Sequence, residues 1–585
     1  MGDRNHEIQA LLRELADLSI LDDQSAQSFR ARAYERALHA IDGIQDDLEG
    51  MSVATLQRIG GIGRSTAQKI REYFDTGAVA KLETLRQRFP PSVVAMSRIP
   101  GVGPKTLARL RSELGIEDVE ALRDAITEGK LQSVSGMGAK TEARIASAID
   151  RLGLKRDQRT PIDRAMRLAE TLVNELLALP GVQAAVPCGS LRRQAETVGD
   201  LDVVVASTEP QPIMAWFAEH RFAEQVIARG DTKTTIITRQ GLQIDLRVVA
   251  PAHLGAATLY FTGSKGHNIR LRQLAIQQGW SLNEYALSDA TTGEVVAAGD
   301  EASIYRALGL EFVPPPMRED TGEIEAALAG TLPGVVSVED LCGDLHIHTD
   351  RSGDARSSLA ELVAEAVRRG YSYLAITDHA EDLPINGVSR GELERQAEEI
   401  GALQEANPGL QLLRGCELNI DPDGGLDYDP AFRSGLDWCI AAVHSHFDLS
   451  QAEQTRRLIA AISDPAVRVI GHLSGRIIGE RPGIEIDLDA ILDAMVETGV
   501  ALEINSALPR LDAAAPVLRR AVDKGVVFVI STDSHHVRDM GRNAVFGARQ
   551  AQRGWVPREQ VANTWPRERF LGWLHTQRRP SGPSR

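Results

Sequence analysis

The chain has 585 residues, of which 43% are hydrophobic and 25% are charged, and this composition is ordinary for a globular protein of roughly three to five domains. No apolar run reaches membrane-spanning length, the start lacks the hydrophobic region of a signal peptide, and the four cysteines form no Cys-x-x-Cys pair, so we expect a cytoplasmic protein without a membrane span, a disulfide framework or a zinc finger. The net charge of −16 predicts modest and salt-sensitive affinity for nucleic acid, although partners respond to local potential rather than to the charge of the whole chain.

Three near-repeats of the form apolar-x-Gly-apolar-Gly lie between helical patterns in the amino-terminal third, at residues 59–66, 99–106 and 134–141. The glycines allow each turn to expose backbone N–H groups at the start of a helix, where the helix dipole favours phosphate. One copy alone is equally well explained as a connector, but three copies indicate helix-hairpin-helix motifs, which hold the DNA backbone without reading bases. The residues predicted to contact DNA in these motifs are Gly61, Gly63, Gly101, Gly103, Lys105, Gly136, Gly138 and Lys140.

The first repeat also resembles the amino-terminal lyase domain of DNA polymerase beta. The resemblance rests on the segments FRARAY and EYFDTG on either side of the repeat. It implies that Lys69 forms a Schiff base and removes a 5′-deoxyribose phosphate, with Arg30 and Tyr34 around the 5′-phosphate of a gap. Ser65 stands in place of a phosphate-binding lysine of that family, and a lone lysine on a helix is usually solvated, so both interpretations of Lys69 remain open.

Residues 189–202 read GSLRRQAETVGDLD and place two carboxylates, Asp200 and Asp202, two residues apart at the start of an apolar strand. Side chains alternate across a strand, so both carboxylates point to the same face, and two neighbouring acids repel unless a cation lies between them. Mg²⁺ is the predicted cation, because it combines a few carboxylates with substrate phosphates. The glycine-serine turn and the two arginines of this segment supply a phosphate clamp beside the acids.

Asp245 is the predicted third acid of this site. Residues 234–239 predict a strand, residues 240–241 a turn, and residues 242–249 the returning strand that contains Asp245. Three carboxylates fit a two-metal scheme in which one ion activates the primer hydroxyl and the other holds the triphosphate. An isolated Asp-x-Asp is more often a pair of solvated strand-end acids, but the adjacent phosphate clamp and Asp245 favour nucleotidyl transfer.

These residues resemble the palm motifs of family X DNA polymerases, the group that contains DNA polymerase beta. The resemblance continues through YFTGS at residues 260–264 and NEY at residues 283–285, which are similar to the thumb segment that checks the incoming nucleotide. Lys265 stands where DNA polymerase beta has an acid, so contacts on the base side are expected to differ. The resemblance implies that the triphosphate is held by Gly189, Ser190, Arg193 and Gly199, that Tyr260, Phe261 and Gly263 favour deoxynucleotides, that Asn268 reaches the new base pair and that Arg272 contacts the template side.

The carboxy-terminal half contains seven apolar, strand-like runs that end in metal-binding residue types and alternate with helical patterns. This alternation predicts parallel strands, and functional residues at their carboxyl ends are typical of a βα-barrel. A lone core histidine is usually structural, but this recurrence predicts a multinuclear site that activates water against a phosphoester, with Mn²⁺ or Zn²⁺ as the ions that histidine favours. The runs are residues 345–348, 374–379, 412–417, 439–444, 467–472, 500–505 and 526–535.

The same pattern resembles the PHP (polymerase and histidinol phosphatase) family, whose members hold up to three metal ions. Eight of the nine ligands that the resemblance implies are matched, namely His346, His348, His379, Glu417, His444, His472, Asp533 and His535. The family has Ser-Asp-Gly after its first His-x-His, whereas this chain has Ser352-Gly-Asp354. Either Asp354 replaces the expected acid after a shift of one residue, or one metal binds weakly.

Together these segments predict a multidomain α+β and α/β protein. A helix-hairpin-helix region, a palm and thumb, and a PHP barrel occur in this order in bacterial family X DNA polymerases. We expect a lyase-like helical domain at residues 1–80, a fingers-like domain at 81–157, a nucleotidyltransferase palm at 158–252, a thumb at 253–313, a linker at 314–338, a (βα)7-like PHP barrel at 339–575 and a flexible tail at 576–585.

The resemblance implies template-directed DNA synthesis that fills short gaps in repair, together with a metal-dependent 3′-5′ exonuclease in the barrel. We expect Mg²⁺ or Mn²⁺ in the palm and up to three Mn²⁺ or Zn²⁺ ions in the barrel. The expected partners of this nucleoid-associated monomer are gapped or primed DNA and deoxynucleoside triphosphates, without a membrane. Two alternatives remain open: in the first the barrel is a small-molecule phosphatase or a silent structural domain, and in the second the whole chain is a DNA-gap-binding scaffold without activity.

Overall fold

The structure is a computed structural model that describes residues 3–577, except residues 26–27, 43–47, 98, 100, 135–136, 152–158 and 384–385. The chain divides into two compact units, an amino-terminal unit of residues 1–155 and 480–482 and a larger unit of residues 156–479 and 483–585. The domain boundary predicted at residue 157 lies outside the described residues. Within the described ranges, no helix combines the length and the apolar character that crossing a bilayer requires.

The described part of the amino-terminal unit is built from helices. One hydrophobic core includes residues from Ile8 to Ile149, so the predicted lyase-like and fingers-like regions share a single core. Gly63 and Gly103 immediately precede helices of the first and second repeats, as the helix-hairpin-helix pattern predicts. The helices are Asp3–Asp22, Phe29–Asp42, Val53–Leu56, Arg64–Thr76, Ala80–Arg88, Pro91–Ser97, Pro104–Leu114, Val119–Thr127 and Ala139–Arg151, with short 3₁₀ helices at Leu48–Gly50 and Lys130–Ser133.

The palm of the larger unit is a mixed five-stranded sheet that positions the predicted acids. Its inner strand Asp200–Ala206 contains three consecutive valines, a β-branched run that suits a strand buried on both faces. The sheet runs in the order Ala184–Pro187, Asp200–Ala206, Gln243–Val249, Lys233–Ile237 and Gln225–Arg229, and only the second and third of these strands are parallel. The palm helices are Ile162–Leu177, Gly189–Arg192 and Pro210–Ala218, and a short ladder pairs Thr160–Pro161 with Thr197–Val198.

The thumb follows the palm and combines helices with a small antiparallel sheet. The helices pack through a hydrophobic core that includes Leu259, Leu271 and Ile304. Its helices are Pro251–His253, Leu254–Thr262, Lys265–Gln277 and Glu301–Ala307, and its strands are Trp280–Leu282, Leu287–Asp289 and Val295–Ala297.

Residues 314–338, which we predicted to be a linker, differ from that prediction. Pro315–Met317 and Glu323–Ala329 form helices, and Ile324 and Ala327 belong to the thumb core. The prolines correctly indicated turns, but Ile324 and Ala327 stand three residues apart on a helix and bury one face of it against the thumb. The thumb therefore extends beyond its predicted end.

The barrel contains seven parallel strands that are hydrogen-bonded in chain order. A parallel bridge between Ile347 and Ser534 joins the segments after the first and last strands, so the barrel is nearly closed and the predicted (βα)7-like fold is confirmed. The strands are Gly343–Asp344, Tyr373–Ile376, Gln411–Asn419, Trp438–Ala442, Val467–Ile470, Ala501–Asn505 and Phe528–Ser531. The α-helices are Leu359–Arg368, Arg390–Ala406, Pro430–Ser434, Gln451–Ile462, Leu488–Thr498, Ala515–Lys524, Val537–Arg553 and Arg567–Gln577, with 3₁₀ helices at Val338–Asp340, Arg558–Gln560 and Ala562–Thr564.

Candidate active sites

The three predicted acids of the palm come together on neighbouring parallel strands. Asp200 and Asp202 point to one face of their strand, and Asp202 stands in register beside Asp245 on the adjacent strand. Asp200 is exposed, whereas Asp202 and Asp245 are half-buried. Lys233 Nζ lies 2.7 Å from Asp245 Oδ2, and Gln243 Nε2 donates to Asp245 Oδ1 at 3.2 Å. Three ionised acids outnumber the nearby cations of Lys233 and Arg247, and the net negative charge suits divalent cations.

Burial and the two neighbouring carboxylates set the charge state of Asp202. Burial, together with the negative charges of Asp200 and Asp245, raises the pKa of the Asp202 carboxyl to about 7, although Arg247 and Lys233 oppose the rise. Because Asp202 resists ionisation beside two other acids, binding of a cation that neutralises the three carboxylates is favourable. The donor set is made of oxygen atoms, so it fits Mg²⁺ or Mn²⁺.

This pKa predicts that protons compete with Mg²⁺ at the palm. Below its pKa of about 7, Asp202 is mostly protonated, and the proton must leave before the carboxylate can bind a cation. We therefore expect the Mg²⁺ concentration that half-saturates primer extension to rise about tenfold per pH unit below about pH 7, and to stay level above it. Initial rates of extension at several Mg²⁺ concentrations between about pH 5.5 and about pH 8 measure this, and a Mg²⁺ requirement that is independent of pH contradicts it.

Gly189 allows the phosphate clamp to lie close to the acids. Its backbone has φ of 63°, which disfavours side chains, and a Cβ atom at this position would lie 2.8 Å from Asp202 Oδ2. Ser190 is half-buried on the short helix that Gly189 begins, and Gly199 is exposed immediately before the first acid. The structure therefore brings the predicted triphosphate ligands beside the carboxylates that we predict to bind metal.

The two clamp arginines have different surroundings. Arg192 is held by Glu301, with Nη2 and Oε2 2.7 Å apart, and its Nη1 donates to the Thr262 hydroxyl at 2.7 Å. Arg193 donates from Nη1 to the backbone oxygen of Thr262 at 2.5 Å and from Nε to Glu319 at 3.2 Å. Arg192 thus connects the palm to the thumb. The family resemblance implies that the triphosphate is bound by Arg193 rather than by Arg192.

The thumb residues predicted to check the nucleotide form one cluster. The rings of Tyr260 and Phe261 meet edge to face at 5.0 Å, and the Arg272 guanidinium lies 5.4 Å from the centre of the Tyr260 ring. Asn268 Nδ2 donates to the backbone oxygen of Tyr260 at 2.7 Å. A Cβ atom on Gly263 would lie 3.2 Å from Arg193 Nη1. The cluster therefore borders the phosphate clamp, as its predicted role requires.

The amino-terminal unit contains the turns that we predict to bind DNA. Gly61 has φ of 95°, and a Cβ atom there would lie 2.9 Å from the backbone oxygen of Arg36, so this turn requires glycine. Lys105 and Lys140 are exposed at the starts of their helices. Of the remaining predicted contacts, Gly63, Gly103 and Gly138 are exposed, Gly101 is half-buried, and Gly136 lies outside the described residues.

Lys69, the predicted lyase nucleophile, is half-buried near Tyr34. Its Nζ donates to the Ser65 hydroxyl at 2.7 Å and lies 5.8 Å from the centre of the Tyr34 ring. Burial lowers the pKa of the Lys69 ammonium, which is the direction a Schiff-base lysine needs. Arg30, however, donates to Asp22 at 2.7 Å and also bonds Asp23, so it must exchange partners before it can hold a phosphate.

The predicted ligands of the barrel converge at the carboxyl ends of its strands. Glu417 is the centre of the cluster and is 1% exposed. It lies 2.7 Å from His379 Nδ1, 3.1 Å from His444 Nε2 and 2.9 Å from His472 Nε2. His346 Nε2 and His348 Nε2 are farther from it, at 3.5 Å and 3.7 Å. One carboxylate therefore connects histidines from five positions in the sequence.

Asp354 lies in the same cluster, although its motif departs from the family pattern. Its Oδ2 is 3.3 Å from His379 Nε2 and 3.4 Å from His535 Nε2. Asp533 Oδ1 lies 3.3 Å from His348 Nε2 on the other side. The shift of one residue thus still leaves a carboxylate within reach of two predicted ligands, and the role of Asp354 as the ninth ligand stays a prediction.

The geometry of the cluster fits several metal ions. His346 Nε2, His348 Nε2 and Asp354 Oδ1 are buried and make no hydrogen bond within the described part of the chain. Buried polar atoms without partners are costly, so their lone pairs are suited to metal. Among the described residues, three groups have ligand atoms within 4.8 Å of one another, and they are His346, His348 and Asp533; His348, His379 and His535; and His379, Glu417 and His444. Mixed nitrogen and carboxylate ligands fit Mn²⁺ or Zn²⁺.

The charges of these groups are strongly coupled. Burial favours neutral imidazole at His379, but the carboxylates of Glu417 and Asp354 outweigh it and raise the pKa of His379 to about 10. At His348, burial and the neighbouring His379 and His535 lower the pKa to about 3. Burial disfavours charge on Glu417 as well, yet the surrounding imidazoles, with His444 first, hold its pKa well below the usual value. Glu417 is therefore an ionised carboxylate ready to bind cations.

Several residues that orient the ligands were not among the predicted site residues. Glu503 Oε1 lies 2.6 Å from His346 Nδ1, and Asn419 Oδ1 lies 2.6 Å from His444 Nδ1, so each fixes the ring that it contacts. Asn505 Nδ2 donates to Asp533 Oδ2 at 3.0 Å. Glu503 and Asn505 are two residues apart on one strand, and this spacing in the sequence indicates that their side chains share a face.

Four family descriptions match separate parts of the chain. Residues 3–79 match a helix-hairpin-helix domain, and residues 94–151 match a SAM-like helix-hairpin-helix tandem. Residues 257–319 match the DNA polymerase beta thumb, and residues 344–507 match the PHP domain. The order of these matches is the order predicted from the sequence.

Three relatives extend this similarity. DNA polymerase/3′-5′ exonuclease PolX of Bacillus subtilis is 35% identical over 538 residues, which cover 92% of this chain and 93% of the relative. DNA polymerase lambda of Rattus norvegicus is 26% identical over 319 residues, 50% of this chain and 52% of the relative. A probable phosphatase of Caldanaerobacter subterraneus subsp. tengcongensis is 31% identical over 209 residues, 34% of this chain and 78% of the relative. Of these three matches, the first spans nearly the whole of both chains.

Proposed function

The chain belongs to the family X DNA polymerases that carry a carboxy-terminal PHP domain, and on this premise we propose that it fills short DNA gaps and removes 3′-terminal nucleotides at two separate metal sites. It is a DNA polymerase and a 3′-5′ exonuclease, and gap repair is the role that fits both activities. The observation that supports this most directly is the register of the palm strands, which sets Asp202 beside Asp245 and close to the clamp at Gly189.

At the palm, we assign each residue a role in nucleotidyl transfer. Bound Mg²⁺ or Mn²⁺ supplies positive charge that acidifies the primer 3′-hydroxyl and neutralises the triphosphate. Asp200 and Asp202 would hold the ions, and Asp245 would help to activate the hydroxyl. Arg193 and Ser190 bind the triphosphate and then the leaving pyrophosphate, which raises the fraction of nucleotide that is aligned for attack.

At the barrel, the Glu417 cluster would hold up to three Mn²⁺ or Zn²⁺ ions around the terminal phosphodiester. The ions, when bound, activate water and stabilise charge on the phosphate. His346, His348 and Asp533 hold one side of the cluster, while Glu503 fixes the orientation of the His346 ring at 2.6 Å. These residues therefore set where the DNA end is cut.

The substrates we propose are gapped or primed DNA and deoxynucleoside triphosphates, held by a monomer that works with the DNA of the nucleoid in the cytoplasm. The exposed turns at Gly63 and Gly103 would bind the DNA backbone without sequence preference. Lys69 is proposed as a lyase nucleophile for 5′-deoxyribose phosphate, with support from its lowered pKa and its position beside Tyr34.

A second candidate concerns the barrel alone, because a relative named a probable phosphatase matches about a third of the chain. In that case the barrel hydrolyses small phosphomonoesters and leaves DNA intact. The cluster that binds metal is compatible with both substrates, so the substrate itself must be tested.

The experiment uses the full chain and a labelled primer that borders a one-nucleotide gap. We expect extension by one nucleotide when deoxynucleotides and Mg²⁺ or Mn²⁺ are present, and stepwise loss of the primer 3′ end with Mn²⁺ when nucleotides are omitted. Both reactions should stop on chelation of the metal. A small aryl phosphate serves as the competing substrate: its hydrolysis without primer degradation supports the phosphatase, and DNA binding without either reaction supports the scaffold.

A further inference from the structure

The palm loop that follows the clamp helix is held by the barrel domain at successive residues. Gln194 is buried, and its Nε2 donates to the backbone oxygen of Phe546 at 2.7 Å. Arg553 Nη1 donates to the backbone oxygen of Arg193 at 2.9 Å. Phe546 and Arg553 both lie on the barrel helix Val537–Arg553. The barrel domain therefore fixes the backbone that bears the clamp arginine.

A shared carboxylate connects the side chains of the same two arginines. Arg193 Nε donates to Glu319 Oε1 at 3.2 Å, and Arg553 Nη1 donates to the same oxygen at 2.6 Å. The side chains of Arg193, Glu319 and Arg553 are 14%, 28% and 20% exposed, so water screens their charges only in part. Glu319 is therefore coupled to both arginines more strongly than a fully exposed acid would be.

This arrangement makes Glu319 a competitor of the incoming nucleotide. Arg193 donates its Nε hydrogen to Glu319 and one Nη1 hydrogen to the backbone oxygen of Thr262, so it can grip a phosphate with the fork of Nε and Nη2 only after Glu319 releases it. When Arg193 turns to the triphosphate, Glu319 is left as a carboxylate close to an anionic ligand, and like charges repel. A second cation that stays on Glu319 removes this penalty, and Arg553 is already bonded to it.

We propose that Arg553, a residue of the barrel domain, positions Arg193 for the incoming deoxynucleoside triphosphate by neutralising Glu319. Arg553 is a positioning residue, because it acts through Arg193 and Glu319. The inference rests on the proposed polymerase function of the palm. It gives the barrel domain a part in DNA synthesis that is independent of the barrel's own hydrolytic site.

The test is a split between KM and kcat for the deoxynucleotide in gap filling. In Arg553→Gln, Glu319 holds Arg193 more firmly and repels the triphosphate, so we expect KM to rise about tenfold while kcat stays within about twofold. Arg553→Lys keeps the positive charge and should raise KM by less than about threefold. Degradation of the primer 3′ end without nucleotides should stay at the wild-type rate in both variants.

A double-mutant comparison separates this role from simple docking of domains. Glu319→Gln removes the charge that Arg553 neutralises, so adding Arg553→Gln to it should change KM by less than about twofold. Arg542→Gln is the matched control, because Arg542 lies on the same barrel helix as Arg553 and donates to Glu170 of the palm at 3.0 Å. Glu170 belongs to the palm helix Ile162–Leu177, which is separate from the clamp helix. Arg542→Gln should leave KM unchanged.

The proposal is overturned if Arg553→Gln leaves KM unchanged, if it raises KM equally with and without Glu319, or if Arg542→Gln raises KM as much. Thermal unfolding shows whether each variant folds. If Arg553→Gln fails to fold, Glu319→Gln and Arg553→Lys decide. We expect the KM of Glu319→Gln to equal that of the wild type or to lie below it, and a tenfold rise in the KM of Glu319→Gln contradicts the proposal. Absence of gap filling by the intact protein is a different result, which refutes the polymerase function itself.

Discussion

Asp202→Asn is expected to lower the rate of DNA synthesis at a gap by about a thousandfold, while the rate of 3′-end degradation stays unchanged. The carboxylate stands between Asp200 and in-register Asp245, so it would help to hold the ions that serve the primer and the triphosphate. Asparagine keeps the shape beside Gly189 but removes the charge. A thousandfold loss corresponds to about 4 kcal/mol of transition-state stabilisation, which is reasonable for removal of a metal ligand.

Single-nucleotide insertion into a labelled gap, measured at saturating nucleotide and Mg²⁺, gives the synthesis rate. The matched control is Glu224→Gln, an exposed acid at the start of the palm's edge strand that pairs with Arg239 at 3.2 Å, and it should synthesise DNA at the wild-type rate. Synthesis by Asp202→Asn within about tenfold of the wild type rules out this role. Equal loss of synthesis and degradation indicates damage to the fold rather than to one site.

The palm could be predicted well because its evidence is local. Asp200 and Asp202 share a face by strand alternation alone, and the turn before the strand with Asp245 predicts that this strand pairs with the one that precedes it. The predicted strands began or ended within one or two residues of the observed Lys233–Ile237 and Gln243–Val249. The parallel pairing that sets Asp202 beside Asp245, however, depends on the whole sheet and came from the structure.

The barrel ligands could be predicted equally well, because the carboxyl ends of parallel strands lie on the same rim of a barrel. His379, for example, lies just past the end of its strand and forms a parallel bridge with Glu417 of the adjacent strand, so residues far apart in sequence meet without any unusual turn. The orienting residue Asn419 could not be predicted, because a polar residue at a strand end is ordinary. Its contact with His444 depends on the rotamer of both side chains.

The sequence was least informative where one domain touches another. Nothing in the run of residues around Arg553 indicates that its guanidinium reaches Glu319 of the thumb, because that contact depends on the docking of two separately folded parts. Arg30 shows the same limit on a smaller scale: its motif implied a phosphate ligand, and its partners in the structure are Asp22 and Asp23. Charge pairing is short-ranged and is decided by the final packing.

Glu417→Gln is expected to lower the rate of 3′-end degradation by about a thousandfold and to leave DNA synthesis at the palm unchanged. Glu417 is 1% exposed and lies within 3.1 Å of ring nitrogens of His379, His444 and His472, so it is the anion around which the cluster is built. Glutamine has the same shape but no charge to balance metal cations in a buried site, where desolvation makes that balance essential. The expected loss is again about 4 kcal/mol, because metal binding and phosphate stabilisation fail together.

Two measurements separate this loss from unfolding. Metal content after dialysis against Mn²⁺ should fall in Glu417→Gln relative to the wild type, while the thermal transition of the chain remains cooperative. Glu399→Gln is the matched control, because this acid of the barrel pairs with Arg351 at 2.6 Å through a partly exposed side chain outside the cluster, and it should retain both metal and degradation. The palm acids lie on a different sheet from Glu417, so gap filling by Glu417→Gln reports whether the palm is intact. Retained degradation together with lost Mn²⁺ would place the exonuclease outside the barrel, and retained Mn²⁺ with lost degradation would make Glu417 a contributor to the reaction rather than to metal binding.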